Sequence, residues 1–322
     1  MKVLVTGGSG RVGGYVLREL QAHGHALLNY GRTLPLVEGI AHTSGDITDL
    51  AGLREALHQH EAVVHLAGVA HPRRATPEHL MQANLMGTFN ILEAAVREGV
   101  SKVVFASTDA TLGFAFQIHP RQPSYLPIDE QHPCAPEDEY GLSKLLGEAM
   151  CRRYSAAYGL ATICVRINSA WNLDRAGAEV SARFGATRSL PGTVDDIWAL
   201  YQKQLEFPEG PLPVPGPPLP RVRLWGYTDA RDTAQAIRLA LENQGVTHDV
   251  FLTSADDTCS LEETSVLISC YFAGVPVYSS LAGYTSLFSH AKATRVLGYR
   301  PQYSWRNSDF SAWLFGRRAA QP

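Results

Sequence analysis

Short runs of hydrophobic residues alternate with amphipathic segments along the first half of the chain. The runs have the length of β-strands and are rich in valine. They begin at Lys2 (KVLVT), His25 (HALLNY), Ala62 (AVVHLA), Lys102 (KVVFAS) and Ala161 (ATICVRI). Continuous apolar strands separated by helices predict a parallel sheet that helices cover on both faces. The pattern therefore predicts an α/β fold built on a doubly wound parallel sheet.

The regular alternation stops after Ile167. Residues 210–220, GPLPVPGPPLP, cannot form a helix or a central strand. We interpret them as a stiff loop over a pocket, with a proline-rich ligand for a partner domain as the alternative. A helix is predicted from about Asp229, then a strand at DVFLTS, then a short helix that ends at Gly298.

Composition excludes several classes of function. The 322 residues are 45% hydrophobic, which is enough for a large core, and the net charge of -3 comes from interspersed acids and bases. Without a basic stripe we predict no nucleic-acid partner. The longest apolar stretch contains Gly274 and Pro276 and is too short to cross a bilayer. The N-terminus has no secretory signal, and the five cysteines are scattered along the chain. We predict a cytoplasmic protein with reduced thiols and no membrane partner.

Three histidines and a glutamate lie close together in HQHEAVVH. From His60 the spacing is H-E-x-x-x-H, one residue longer than the H-E-x-x-H of helical zinc sites. His65 also falls in a predicted strand, so the two histidines cannot share a helix face. We therefore predict no metal site.

Glycines separate the first predicted strand from the helix that follows it. Gly7, Gly10 and Gly13 form G-x-x-G-x-x-G in TGGSGRVGG. Glycine allows a sharp turn and the close approach of a pyrophosphate, while the helix N-terminus supplies unpaired N–H groups. The motif predicts a dinucleotide site. The alternative is that the glycines only permit tight packing of helix on sheet.

A tyrosine and a lysine stand four residues apart in EYGLSK. On a helix, Tyr140 and Lys144 would share one face and could reach a common small molecule. This spacing is common in helices, and a half-buried tyrosine beside a solvated lysine is the alternative interpretation.

Several motifs occur in a characteristic order. They are TGGSGRVG, GDITD, HLAG, NLMGTFNILEA, FASTDATLG, YGLSK and YTDARD. In this order and context the chain resembles the extended short-chain dehydrogenase/reductases, the NAD-dependent epimerase/dehydratase family. The resemblance spans nearly the whole chain and is weakest between about Ser169 and Arg221.

The resemblance implies a Rossmann-type fold in two parts. An NAD(P)-binding domain would comprise residues 1–167 plus about 226–256. A smaller C-terminal substrate-binding lobe would comprise about 168–225 plus 257–322. The resemblance alone also suggests a homodimer, formed through the helices near Asn84 and Tyr140.

The resemblance further implies that Tyr140 is the general acid/base, exchanging a proton with a substrate oxygen while hydride moves between the adjacent carbon and the nicotinamide. Free tyrosine titrates near pH 10. Its pKa must therefore be lowered, and the Lys144 ammonium would favour the phenolate and bind the nicotinamide ribose. Thr108, with Ser107 as the fallback, would hydrogen-bond the reacting oxygen, unless both hydroxyls only cap the strand end.

The family pattern also implies a cofactor-binding set. This set is Gly7, Gly10, Arg11, Val12, Gly13, Arg32, Asp46, Ile47, Leu66, Ala67, Gly68, Asn84, Tyr140 and Lys144. NAD-preferring relatives carry an acid at the end of the second strand, where this chain has Gly31 followed by Arg32. The cofactor is thus NAD or NADP, and the missing acid together with the guanidinium favours NADP. Alternatively, Arg32 stacks over adenine, which would fit either cofactor.

The substrate is expected to be a small molecule. Candidate contacts are Ser107, Asp109, Asn168, Ser169, Arg223 and Trp225. Ala110 follows Asp109 where dehydratases carry a second acid, which argues against dehydration. Asn168 lies one position before the diphosphate-binding asparagine of nucleotide-sugar epimerases. A smaller sugar, polyol or carbonyl compound is therefore as plausible a substrate as a nucleotide sugar. Three functions stay open: an oxidoreductase acting at a secondary alcohol or ketone, a nucleotide-sugar 4-epimerase that retains NAD, and an inactive NAD(P)-sensing protein.

Overall fold

The computed structural model describes residues 1–119, 121–172, 223–260 and 262–307. The strands are β1 (Lys2–Thr6), β2 (Ala26–Tyr30), β3 (Ala41–Thr43), β4 (Ala62–His65), β5 (Lys102–Thr108), β6 (Ala161–Ile167), β7 (Ala170–Trp171), β8 (Thr228–Asp229) and β9 (His248–Thr253). The helices are α1 (Gly13–Ala22), α2 (Leu50–Leu57), α3 (Pro77–Met81), α4 (Gly87–Arg97), α5 (Glu139–Tyr158), α6 (Ala230–Glu242), α7 (Thr264–Tyr271) and α8 (Ala291–Leu297). A π-helical turn, Gln82–Met86, joins α3 to α4.

A parallel sheet forms the centre of the described residues. Its strand order is β3-β2-β1-β4-β5-β6-β9, and every pairing is parallel. Neighbouring residues of β1 enter different cores: Val3 packs with Val16 of α1 and Ile237 of α6, whereas Leu4 packs with Ile91 of α4. Side chains of a strand alternate between faces, so helices must cover both. The predicted doubly wound, Rossmann-type sheet is confirmed.

The chain leaves β1 toward β2 on one side and returns to β4 on the other. This reversal of strand order opens a crevice beyond the carboxyl ends of β1 and β4, where open α/β sheets bind ligands. The loops that follow these two strands lie in contact there, because a Cβ atom at Gly7 would lie 2.6 Å from the backbone nitrogen of Ala67.

The later elements follow the sequence pattern in part. The predicted helix near Asp229 is α6, the predicted strand is β9 at the edge of the main sheet, and α8 ends at Gly298 with a φ of 79°. The pattern missed the short strand β3, the pair β7 and β8, and helix α7. In the part of the chain that the structure describes, no helix is long and apolar enough to cross a membrane.

Most of the predicted substrate-binding lobe lies outside the described residues. The described residues do not include 173–222 and 308–322. The proline-rich segment 210–220 and Arg221 therefore lie outside them. The two-part division of the chain stays a prediction.

Two adjacent glycines of α1 offer a matched test of the packing between loop and helix. A Cβ atom at Gly13 would lie 2.2 Å from the carbonyl oxygen of Gly7, whereas at Gly14 the nearest atom is Arg18 Nη1 at 4.0 Å. We expect Gly13→Ala to lower the free energy of unfolding by about 1 to 3 kcal/mol because the loop must move. Gly14→Ala should leave it unchanged or raise it by up to about 1 kcal/mol. Urea denaturation measures both, and equal effects would contradict this account of the loop.

Candidate active site

The loop between β1 and α1 forms one wall of the crevice. Gly7 has a φ of 75°, and the backbone nitrogen of Gly10 donates to its carbonyl oxygen at 3.0 Å. Helix α1 follows Val12, which provides no side-chain cap for the first turn. The nitrogens of Gly14 and Tyr15 donate to the carbonyl oxygens of Gly10 and Val12. The positive end of the helix dipole nevertheless lies at this loop, so the residues fit a dinucleotide pyrophosphate.

Gly8, which the sequence analysis did not single out, is as constrained as its neighbours. Its nitrogen donates to Asn29 Oδ1 at 3.0 Å, and a Cβ atom there would lie 2.3 Å from that oxygen. Asn29 is buried, and its Nδ2 lies 2.9 Å from His42 Nδ1. The polar residue inside the apolar run ALLNY was the signal that could have revealed this contact.

The end of β2 and the GDITD motif form the far end of the crevice. Asp46 Oδ1 accepts hydrogen bonds from the nitrogen and hydroxyl of Thr48, which lower the pKa of Asp46 more than the charge of Arg32 does. Ile47 is buried against Gly87. No atom lies within 4 Å of a Cβ placed at Gly31, so a side chain would fit there.

Arg11 extends from the glycine loop in another direction. Its Nη1 donates to the carbonyl oxygen of Ala170 in β7, at 3.5 Å. This contact joins the glycine loop to the strand after β6, and the binding of a cofactor by Arg11 stays a prediction.

The HLAG motif forms the opposite wall. The nitrogens of Leu66 and Ala67 donate to the carbonyl and hydroxyl oxygens of Thr6, at 3.1 and 3.3 Å. Gly68 has a φ of 147°, and a Cβ atom there would lie 2.7 Å from Asn84 Oδ1 and 3.8 Å from Lys144 Nζ. The motif thus passes beside Lys144, and its backbone approaches Asn84 at a distance that only glycine permits.

Asn84 lies in the π-helical turn, a feature often found at functional sites. Its Oδ1 accepts from the nitrogen of Val69 at 2.7 Å, and its Nδ2 donates to Val69 O and to Ser143 Oγ, each at 3.0 Å. The amide therefore joins the loop after β4 to α5. A direct contact of Asn84 with a cofactor stays a prediction.

His65, at the end of β4, is completely enclosed. Its Nδ1 lies 2.8 Å from Thr6 Oγ1, and its Nε2 lies 3.2 Å from Thr88 Oγ1. Since Thr88 donates its own proton to Asn84 O, the network assigns the ring proton to Nε2. Burial, and then the charge of Lys144, lower the pKa of His65 to about 3, so the ring is neutral at pH 7. The described residues hold no cluster of three or more metal-ligating side chains.

Helix α5 carries the tyrosine and lysine. Asp138 caps it by accepting from the nitrogen of Gly141 at 2.8 Å. Tyr140 is 8% exposed and packs with Ala110, which follows β5, and edge-on against Phe116 with ring centroids 6.1 Å apart. The first turn of α5 therefore lies over the end of β5.

Lys144 is buried at the same place. Its Nζ donates to the carbonyl oxygen of Ala106 at 2.9 Å and lies 4.7 Å above the ring of Phe105. Burial lowers the pKa of Lys144 to about 8. The alternative of a solvated lysine is wrong, because Lys144 is 6% exposed.

The hydroxyl residues at the end of β5 point to different partners. Thr108 Oγ1 donates to Asp109 Oδ1 at 3.0 Å and accepts from the nitrogen of Ala110 at 3.2 Å, which caps the following 3₁₀ turn. Ser107 Oγ instead donates to Glu148 Oε1 at 2.5 Å. Each hydroxyl donates to a carboxylate, and Thr108 also caps the following turn, so the role of Thr108 at the reacting oxygen stays a prediction.

The residues after β6 form a buried polar region. Asn168 is completely buried, and neither atom of its amide has a hydrogen-bond partner. Trp225 is 3% exposed, and its indole nitrogen likewise has no hydrogen-bond partner. The backbone is left-handed at both Leu224 and Trp225, with φ values of 49° and 52°. Such strained backbone concentrates at functional sites. Ser169 Oγ accepts from the indole of Trp171 at 3.3 Å. The side chain of Arg223 lies outside the described residues.

Comparisons with known proteins show the family to which the chain belongs. A model of the NAD dependent epimerase/dehydratase family matches residues 3–252. A uronate dehydrogenase from Pseudomonas syringae pv. tomato is 34% identical over 176 residues, which cover 53% of this chain and 60% of that protein. A UDP-glucose 4-epimerase from Azospirillum brasilense is 34% identical over 198 residues, covering 59% and 55%. The chain thus spans little more than half the length of these relatives.

A solved structure is similar over the whole length. It is a short-chain dehydrogenase/reductase superfamily protein from Agrobacterium tumefaciens with bound NAD, with a TM-score of 0.71, 22% identity, and coverage of 99% of this chain and 98% of that one. At this identity the likeness shows the fold.

The enclosed His65 generates a prediction about acid stability. The unfolded state binds a proton to this histidine below its ordinary pKa near 6.5, whereas the folded state does so only near pH 3. The contribution of His65 to the free energy of unfolding is therefore fully present above about pH 6.5. As the pH falls below this value, the free energy of unfolding decreases by up to about 1.4 kcal/mol per pH unit.

The experiment compares urea unfolding of the parent and His65→Gln between pH 7.5 and 4.5. We expect the parent to lose stability more steeply than the variant as the pH falls. Parallel pH dependence of the parent and His65→Gln would show that this histidine is not held neutral.

Proposed function

Because the chain belongs to the NAD-dependent epimerase/dehydratase family, we propose that it is an NAD(P)-dependent oxidoreductase acting at a secondary alcohol or ketone carbon of a sugar-like substrate. The observation that carries this proposal is the meeting of Tyr140 and Lys144 with the end of β5 beside the Gly68 wall of the crevice. A bound nicotinamide dinucleotide would supply the hydride acceptor or donor.

The proposed chemistry of the chain is a proton transfer. Tyr140 takes the proton from the substrate hydroxyl during oxidation and returns it during reduction. The Lys144 ammonium, held beside Gly68, lowers the energy of the phenolate and can donate to ribose hydroxyls. Thr108 holds the substrate oxygen in place. With a pKa of about 8, Lys144 keeps its charge at neutral pH.

Both net oxidation and epimerisation are compatible with these residues. The relatives include a dehydrogenase of uronates and an epimerase of UDP-glucose. We favour a dehydrogenase or reductase with net turnover. The unpartnered amide of Asn168 and indole of Trp225 support a substrate rich in hydroxyl groups, since each could then make the hydrogen bonds it lacks. A nucleotide-sugar 4-epimerase is the second candidate.

We further propose NADP as the preferred cofactor. The support is the open space at Gly31, where an acid would bind the ribose hydroxyls of NAD, and the adjacent Arg32. The similar solved structure contains NAD.

A homodimer through α4 and α5 is also proposed. Met86, Phe89, Leu142 and Leu146 expose apolar side chains on these two helices and the turn before them. Contiguous apolar surface of this kind favours contact with another protein. A cytoplasmic location stays a prediction that rests on the sequence.

The catalytic proposal is tested by Tyr140→Phe. We expect turnover of the best substrate among uronates, aldopentoses and UDP-glucose to fall by roughly 10²- to 10⁴-fold, because the proton donor is gone, while cofactor affinity is kept. Absorbance of the reduced nicotinamide follows net oxidation, and product analysis follows epimerisation. Tyr158→Phe removes a half-exposed hydroxyl from the end of the same helix and should retain turnover. Full activity of Tyr140→Phe would refute the assignment.

The cofactor proposal is tested by Gly31→Asp. The carboxylate should repel a 2'-phosphate and accept from ribose hydroxyls, so the ratio of kcat/KM for NADP to that for NAD should fall about tenfold or more. Gly31→Asn, which has the same shape without the charge, is the matched control and should change the ratio little. A parent enzyme that prefers NAD would disprove the proposed preference.

A further inference from the structure

A buried ion pair lies one helical turn beyond Lys144, between α5 and the sheet. Glu148 accepts from Arg166 Nε at 2.9 Å and from Arg166 Nη2 at 2.7 Å, through its two oxygens. The two side chains are only 5% and 6% exposed. Removing two charges from water is unfavourable, and apolar residues of similar volume often stabilise a fold as well. The pair is therefore weak evidence for stability alone.

The pair connects α5 to two strands at once. Ser107 of β5 and Arg166 of β6 are register partners in the sheet. Both donate to the same carboxylate, since Ser107 Oγ lies 2.5 Å from Glu148 Oε1. Arg166 Nη2 also lies 3.1 Å from Cys134 Sγ. A single helix residue is thus fixed against the ends of two neighbouring strands.

Two successive turns of α5 contact two successive residues of β5. Lys144 Nζ donates to the carbonyl oxygen of Ala106, and Glu148 accepts from the side chain of Ser107. These contacts determine how far along β5 the helix lies. Thr108 is the next residue of the strand, and Tyr140 is one turn earlier on the helix.

We propose that Glu148 and Arg166 are positioning residues of the active site, which hold α5 at the height along β5 where Tyr140 and Lys144 meet Thr108 and the substrate oxygen. This inference rests on the proposed function. The two residues act through α5 and contact neither substrate nor cofactor.

The pair of Glu148 and Arg166 also influences the electrostatic environment of Lys144. The titratable groups that act on Lys144 are His65 from β4, Glu148 and Cys151 from α5, and Cys164 from β6. His65 is neutral. The hydrogen bond between Cys164 and Cys151, together with the burial of Cys164, raises the pKa of the Cys164 thiol. Glu148 and its partner Arg166 are therefore the charges that a substitution can unbalance.

The two single variants should shift the pH dependence in opposite directions. Glu148→Gln leaves the Arg166 charge uncompensated, so Lys144 and Tyr140 lose their protons more readily and the profile of kcat/KM moves to lower pH. Arg166→Met leaves the carboxylate and moves the profile to higher pH. We expect each shift to be about half a pH unit or more. If the pair had a purely structural role, the two variants would not shift the pH profile of kcat/KM in opposite directions. Two variants whose pH profiles match that of the parent would therefore overturn the proposed electrostatic effect on Lys144 and Tyr140.

Two further variants isolate the geometric part. Arg166→Lys keeps the positive charge but loses the bidentate contact with Glu148. The double variant Glu148→Leu/Arg166→Met removes both charges, and folds often tolerate such a replacement of a buried ion pair by apolar residues. In each we expect kcat to fall about 10- to 100-fold because the helix is displaced, with cofactor affinity little changed and the pH profile near the parent's. Parent-like kcat in the folded double variant would refute the positioning role.

Controls separate failure of this inference from failure of the proposed function. Arg238→Met breaks a partly buried ion pair with Glu19, on the opposite face of the sheet, and should change neither kcat nor the pH profile. If Tyr140→Phe retains full turnover, the catalytic assignment and this inference both fail. If Tyr140→Phe is inactive while the Glu148 and Arg166 variants behave like Arg238→Met, only the positioning role fails.

Discussion

Helix α5 lies so close to strand β5 that only glycine can occupy the point of contact. A Cβ atom at Gly147 would lie 2.6 Å from the ring of Phe105. Because of this approach, the side chains on both sides of Gly147 reach the strand: Lys144 contacts Ala106, and Glu148 contacts Ser107. The candidate site depends on this contact, since Tyr140 and Thr108 belong to elements far apart in sequence.

Buried polar groups join the remaining walls of the crevice to this contact. Asn84 links the loop after β4 to Ser143 of α5, and His65 links the end of β4 to Thr6 of β1 and Thr88 of α4. Each of these groups has its hydrogen bonds satisfied inside the protein, which gives the region a single arrangement. Unpartnered polar groups appear instead after β6, at Asn168 and Trp225, where a substrate could complete them.

The sequence was most informative where chemistry and local geometry coincide. Gly7, Gly10 and Gly13 identified the loop because the turn and the helix start require glycine, and the spacing of Tyr140 and Lys144 identified one helix face. The pattern was less informative where a residue works through a distant partner. Glu148 continues the same helix face by one turn, yet its role depends on Ser107 and Arg166. The choice of Thr108 over Ser107 rested on the family resemblance alone, whereas the structure shows that the two hydroxyls have different partners.

Strand periodicity, glycine spacing and the helix face of Tyr140 and Lys144 were determined by the sequence alone, because each depends on backbone geometry within a few residues. The depth of burial of Lys144, the neutrality of His65 and the pairing of Glu148 with Arg166 were decided only by the tertiary structure. Desolvation and charge pairing depend on which elements the fold brings together, and β4, β5 and α5 are separated by long stretches of chain.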